Sequence, residues 1–478
     1  MNPYRTILSI ILTAGIALAC QTQNSSTKLQ IMVRGNLTVN LSIVPTAGEK
    51  AYRTIFVKEN IKPNSKINTE LSTDLLPSTF QLRIEFRNPN SGQPAVEEIS
   101  FFMDKTPVEI SINPEFMNIS DSVLFAPTDQ NNIVYYDFQK QINASREMIN
   151  MLQNILIRYD HKKSTFYSEA LNEYSKRVME HNSMIKSHYE KNKKLFSAST
   201  FPLYAIAPFN FQLGEQKAKK QWLQQTIEQY PFNDQRVIHT ADFRQWLDNY
   251  MNRHFEKDYT HNQSDSALAL AGQALMKVAQ KGDPLVYGHV IDYLFNGYES
   301  MGFTSGILML KPCVIDPKCP ASKKSSIQMR IESLSKIFPG AQAPNFTFTT
   351  ASQKKLSIVS PESSKTYKIL IFWSADCEHC RDFVSQFYPW FEKANLSGFF
   401  DVLALSVDYT ETEVAAWEKT IVNLPLWEHI RLAQGMASPE AKAYYVLSTP
   451  TIFIIDSKIG KIAAIPQSVK DIYDFLNQ

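Results

Sequence analysis

Apolar and polar positions alternate along the first part of the chain, and then the period changes. Leu37, Val39, Leu41 and Ile43 are interleaved with Thr, Asn and Ser. Phe80, Leu82, Ile84 and Phe86 alternate with Gln, Arg and Glu, and Val108, Ile110 and Ile112 repeat the pattern. A period of two puts one face on a core and the other in water, which predicts strands. Turn-rich stretches such as NPNSGQP (88–94) separate the runs. Residues 29–127 therefore read as a small antiparallel β-sandwich of about six strands. Around Asn131 the spacing becomes helical, with Phe138, Ile142, Met148, Ile149, Leu152, Ile155, Leu156 and Tyr159 forming one stripe. No glycine occurs between Gln93 and Leu213, which favours long helices. Further helices are expected around 166–194, 217–229, 241–255 and 265–280, within a helical region spanning 128–338. Its aromatics (Tyr167, Tyr174, Tyr189, Trp222, Trp246, Tyr250) could line a groove, but at this spacing they read as core.

The pattern changes again after PGAQAP (339–344), which reads as an inter-domain linker. Ile369 to Trp373 is an unbroken apolar run, as expected of a strand covered on both faces. A helical pattern through Phe383, Phe387, Trp390 and Phe391 follows. Strands are then expected at 399–407, 451–455 and 461–465, and helices at 411–422, 438–446 and 469–476. Alternating strands and helices predict an α/β domain over 339–478.

Composition narrows the function classes. At 44% hydrophobic and 20% charged residues the chain can bury cores. Its net charge of +2 includes no long run of one sign, which argues against nucleic-acid binding through bulk basic charge. Gly-rich dinucleotide and P-loop motifs are absent from the sequence, and no cofactor is implied.

Met1 to Ala19 has the form of a signal peptide: Arg5, then an apolar stretch from Ile7 too short for a comfortable membrane span. Leu18-Ala19-Cys20 resembles a bacterial lipobox, with Ala17 where Leu is more usual. The resemblance implies lipid attachment at Cys20, and residues 20–28 then form a tether. The expected location is the bacterial cell envelope, anchored to a membrane and facing the periplasm. Ordinary cleavage leaving Cys20 free is the other reading. The remaining cysteines form two local pairs, Cys313/Cys319 and Cys377/Cys380. Export permits disulfides, so Cys313 and Cys319 are expected to form a structural one. A second redox pair or a metal site there is less favoured, because zinc partners are missing nearby.

The stretches APNFTF (343–348), IFWSADCEHC (371–380), LSVD (405–408) and STPTIFIIDSKIGKI (448–462) resemble the TlpA/ResA-type branch of the thioredoxin superfamily, within the broader AhpC/TSA-like group. The resemblance covers roughly the last third of the chain. It implies a C-terminal α/β thioredoxin-like domain in a multi-domain chain. The segment before it is similar, by pattern, to the β-rich domain of thioredoxin-like lipoproteins of Bacteroidetes-type bacteria. Cys377 would open a helix, where unpaired N–H groups stabilise a thiolate, and Cys380 one turn later would resolve the mixed disulfide. His379 adds potential positive charge while Asp376 and Glu378 oppose it, so Glu378 and His379 are expected to tune the pair. Thr449-Pro450 matches the family's cis-proline segment, which implies a substrate-positioning role. Trp373 could shield the site or belong to the core.

Two positions depart from the family. Ile371 stands where thioredoxins proper carry a buried acid, and Phe383 where the TlpA/ResA branch often has Glu. The expected function is a membrane-anchored thiol–disulfide oxidoreductase acting on protein cysteines, with reduction or isomerisation favoured over oxidation. Its partners would be thiol or disulfide proteins and a redox partner. The alternative is a binding or scaffold lipoprotein with a vestigial redox domain. A thiol peroxidase is disfavoured because IFWSADC lacks the proline usual before a peroxide-attacking cysteine.

Overall fold

A computed structural model describes residues 26–48, 50–88, 91–116, 122–349, 354–393 and 396–476. The expected signal peptide, Cys20 and the beginning of the expected tether lie outside the described residues. The chain divides into two compact units: residues up to Arg253 with Lys281–Val286, and His254–Gln280 with Tyr287 onward. The helices of 128–338 are thus divided between the two.

In the first unit, strands β1 (Ser26–Val33), β2 (Val39–Pro45), β3 (Phe56–Ile61), β4 (Ser65–Ser72), β5 (Ser78–Arg87), β6 (Pro94–Met103), β7 (Val108–Ile112) and β8 (Leu124–Phe125) form two sheets. Their orders are β4-β1-β7-β8 and β3-β2-β5-β6. Leu29, Ile31 and Ile110 of one sheet and Leu41, Ile43, Leu82 and Ile84 of the other share one core, which makes a sandwich. The pairing is antiparallel but for β1 and β7, which run parallel from Leu29↔Val108 to Val33↔Ile112. Strands so distant in the chain need no tight hairpin between them. β1 also reaches into the expected tether: Ser26 to Lys28 pair with β4, and Thr27 is buried as the first of the inward series Thr27, Leu29, Ile31, Val33.

Helices α1 (Gln130–Arg158), α2 (Thr165–Asn192), α3 (Glu215–Glu228) and α4 (Ala241–Asn252) follow. The first two are long because neither contains Gly or Pro. Asp129 and Ser164 cap them by accepting from Asn132 N and Tyr167 N. The buried Asn132 also clasps the Phe102 backbone, accepting from its N at 2.7 Å and donating to its O at 2.8 Å. Phe138, Ile142, Ile149 and Leu156 of the predicted stripe are buried, Leu152, Ile155 and Tyr159 are half-buried, and Met148 faces outward.

Helices α5 (His261–Ala279), α6 (Pro284–Met301), α7 (Thr304–Met309), α8 (Lys311–Ile315) and α9 (Lys324–Lys336) come next. Cys313 and Cys319, both buried, are bonded with an S–S distance of 1.99 Å.

The C-terminal domain opens with a hairpin, β9 (Thr347–Thr349) and β10 (Lys355–Ser357). Then come β11 (Tyr367–Trp373), α10 (Glu378–Lys393), β12 (Phe400–Ser406), α11 (Glu411–Ile421), β13 (Glu428–Arg431), α12 (Pro439–Ala443), β14 (Thr451–Asp456), β15 (Ile462–Ala464) and α13 (Val469–Leu476). The sheet order is β13-β12-β11-β14-β15, with β11 central. Ile369, Ile371 and Trp373 face the core beneath α10, while Leu370 and Phe372 face the opposite core. That double burial explains the apolar run. The expected linker 339–344 is laced to the sheet: Gly340 N donates to Ile462 O at 2.7 Å, and Ala343 N to Gly460 O at 2.8 Å. Its small alanines, Ala341 and Ala343, are buried there.

Candidate active site

β11 ends at Trp373, and the chain turns through Ser374–Cys377 into α10. Arg381 N donates to Cys377 O at 3.1 Å, which opens the helical ladder directly at the cysteine. The first N–H groups of a helix have no partner inside it, and those of His379 and Cys380 are directed at the Cys377 sulfur. Cys377 is half-buried and Cys380 fully buried, both as free thiols.

The two sulfurs are shifted in opposite directions. Partial burial alone would raise the Cys377 thiol. The Thr449 side chain, the Cys380 thiol and the backbone N–H groups of Cys380 and His379 outweigh it and bring Cys377 below its ordinary value. Cys380 is pushed up to about 12, chiefly by burial. Ile371 and Phe383 pack in the same core as Cys380 and are part of its apolar surroundings. Glu378 and His379 are exposed beside the pair. His379 acts on Cys377 through its backbone N–H.

The peptide bond between Thr449 and Pro450 is cis. The Cys377 thiol donates to the Thr449 carbonyl at 3.4 Å, so the cysteine pair and the Thr449-Pro450 segment meet at one place. Both residues of that segment are half-exposed. Trp373 is 1% exposed and belongs to the core beneath α10, where its indole N–H has no acceptor among the described residues.

Asp408, the last residue of the LSVD stretch, supports the site from behind. Asp408 lies just after β12, is 1% exposed, and accepts from Ser374 Oγ at 2.5 Å, Ala375 N at 3.1 Å and Ser406 Oγ at 2.7 Å. It therefore ties the turn that carries Cys377 to the neighbouring strand. Gly435 lets the backbone close in behind: its φ is +53°, and a Cβ there would sit 2.7 Å from Val407 O. The only signal in the sequence is an acid directly ending an apolar strand.

Among the described residues, no group of His, Cys, Asp and Glu could hold a metal ion. Among them, too, no helix is long and apolar enough to cross a membrane.

Residues 365–462 match the thioredoxin-like family. No curated protein matches the chain. Among solved structures, a thioredoxin-like protein from Bacteroides caccae is 17% identical, covering 57% of this chain and 96% of its own, with a TM-score of 0.41. The thioredoxin domain of a thiol-disulfide oxidoreductase from Bacteroides vulgatus is 22% identical over 30% of this chain and 96% of its own, with a TM-score of 0.25. A thiol-disulfide oxidoreductase from Bacteroides fragilis is 26% identical over 28% and 97%, also at 0.25.

Proposed function

We propose that this chain is a thiol–disulfide oxidoreductase acting on protein cysteines, with Cys377 as nucleophile and Cys380 as resolving thiol. The observation that carries the reading is the unequal pair: a reachable, thiolate-favoured sulfur at a helix start, 3.4 Å from the Thr449 carbonyl, with a protonated buried sulfur one turn behind.

In the reducing direction the Cys377 thiolate attacks a substrate disulfide. A mixed disulfide forms, and one substrate sulfur leaves as a thiolate. Cys380 then gives up its proton and attacks Cys377 Sγ, which releases the second substrate sulfur. The substrate is reduced by two electrons, the pair becomes a disulfide, and an external dithiol partner restores it. With Ile371 and Phe383 in place of acids, the departing substrate thiolate is the base that receives the Cys380 proton. Thr449 and Pro450 position the substrate backbone, and Glu378 and His379 tune the pair from the surface.

Reduction or isomerisation is favoured over oxidation because the donors that lower Cys377 most are neutral. A strongly oxidising site needs a much more stabilised thiolate. Export, lipid attachment at Cys20 and a periplasmic position complete the proposal, on the strength of the amino-terminal motif.

The test is disulfide exchange with insulin. Cys377→Ser is expected to abolish it, and Cys380→Ala to accumulate a mixed disulfide at Cys377. Unchanged exchange in Cys377→Ser would refute the assignment, and partners captured only non-covalently would favour a scaffold.

A further inference from the structure

A second candidate site lies in the first unit, where α1, α3 and α4 and the segment 203–207 enclose a cleft of about 420 Å³. That volume is within the range of small-ligand sites.

Its wall is built to stay in place. Four successive carbonyls each accept from a side chain: Tyr204 O from His181 Nε2 at 3.1 Å, Ala205 O from Gln229 Nε2 at 2.9 Å, Ile206 O from Asn182 Nδ2 at 2.9 Å, and Ala207 O from Trp222 Nε1 at 3.0 Å. Ile206 N returns a bond to Asn182 Oδ1 at 2.9 Å. Rigidity of this kind is what a binding site requires of its wall.

The charges of the cleft are unbalanced. Arg146 and Arg253 line it, and neither makes an ion pair among the described residues. Arg253 is held over the Trp222 ring at 4.4 Å, and Trp222 is itself pinned through its indole N–H. Arg146 and Arg253 are both exposed as whole residues, but desolvation of the Arg253 guanidinium first, and then the like charge of Arg146, lower the Arg253 pKa from its ordinary value. The one acid among the lining residues is Asp242, whose Oδ1 accepts from both Tyr135 and Tyr204. Two guanidiniums thus face a cleft whose carboxylate is already engaged by phenols. Side-chain amides, among them Asn150 and Gln245, complete the polar lining.

We propose that this cleft binds a small ligand carrying a carboxylate or phosphate group, held between the guanidiniums of Arg146 and Arg253. Guanidinium forks match either oxyanion. The site is independent of the cysteine pair, so the proposal stands or falls apart from the redox reading.

The test is calorimetric titration of the full chain at low salt with benzoate and, separately, with phenyl phosphate. Saturable binding of at least one is expected. Binding of benzoate alone assigns a carboxylate, binding of phenyl phosphate alone a phosphate, and binding of both the shared oxyanion chemistry. Arg146→Gln and Arg253→Gln are each expected to weaken binding by about tenfold or more, while Arg158→Gln, on α1 outside the cleft, leaves it unchanged. Should the glutamine variants fail to fold, Arg146→Lys and Arg253→Lys are expected to weaken binding as well, because lysine lacks the planar fork. No saturable binding of either probe, or unchanged affinity in the arginine variants, overturns the proposal.

Discussion

At the scale of residues, two cysteines one helical turn apart behave as different chemical groups because one is at the helix opening and the other is inside the core. The thiolate is the reactive form of cysteine. Only Cys377 is therefore expected to react with iodoacetamide at neutral pH, with a rate that rises through a midpoint below that of an ordinary cysteine. Cys380, held protonated up to about 12, is expected to stay unlabelled until the protein is unfolded. Mass spectrometry of labelled peptides across a pH series checks both. The cysteines, their spacing and Thr449-Pro450 were legible in the sequence because local motifs carry them. Asp408 was not, because its three donors come together only once β11 and β12 are paired.

At the scale of elements, Asp408 links a strand end to the turn that presents Cys377. Asp408→Asn replaces a carboxylate that accepts three hydrogen bonds with an amide that cannot satisfy the same donors. The expected loss is about 1–3 kcal/mol of stability, read from urea denaturation. Faster hydrogen exchange at Ala375 is expected to accompany it. His181 of α2 fastens a different segment, between Ser145 Oγ at 2.9 Å and Tyr204 O at 3.1 Å. Burial lowers its pKa, so the unfolded chain takes up a proton that the folded one resists. Its stabilising contribution is thus complete above an unfolded value of about 6.5 and is lost as the pH falls through the lower folded value. Melting temperature is expected to drop on acidification through that window, and less steeply in His181→Gln. Period-two and helical spacing place β5, α1 to α5 and most of the C-terminal elements close to their observed ends, whereas α6 to α9 are given only as part of the helical region 128–338. The hairpin β9–β10 and the short strand β13 escaped because three or four residues hold too little pattern. Trp222 and Trp246, read as core at helical spacing, prove half-buried along the cleft. Periodicity reports which face of a helix is apolar, not whether another element covers it.

At the scale of the whole molecule, domain edges are set by packing that composition does not record. The Pro/Gly/Ala segment 339–344 looked like a linker, yet it hydrogen-bonds to the end of the sheet, and Ile337 before it is buried in the same core as Phe372 and Tyr444. A fragment beginning at residue 339 is expected to be less stable than one beginning at residue 324 by about 1.5–3 kcal/mol for the loss of Ile337 alone. Equal urea midpoints for the two would contradict that. The most direct test of the redox account is an equilibrium titration of the full chain against glutathione, with the state of each cysteine read by mass. A single reversible two-electron transition confined to Cys377 and Cys380 is expected, in the range of about −270 to −180 mV that reductases and isomerases occupy, with Cys313–Cys319 staying oxidised. A Cys377–Cys380 pair that never forms a reversible disulfide would contradict the account.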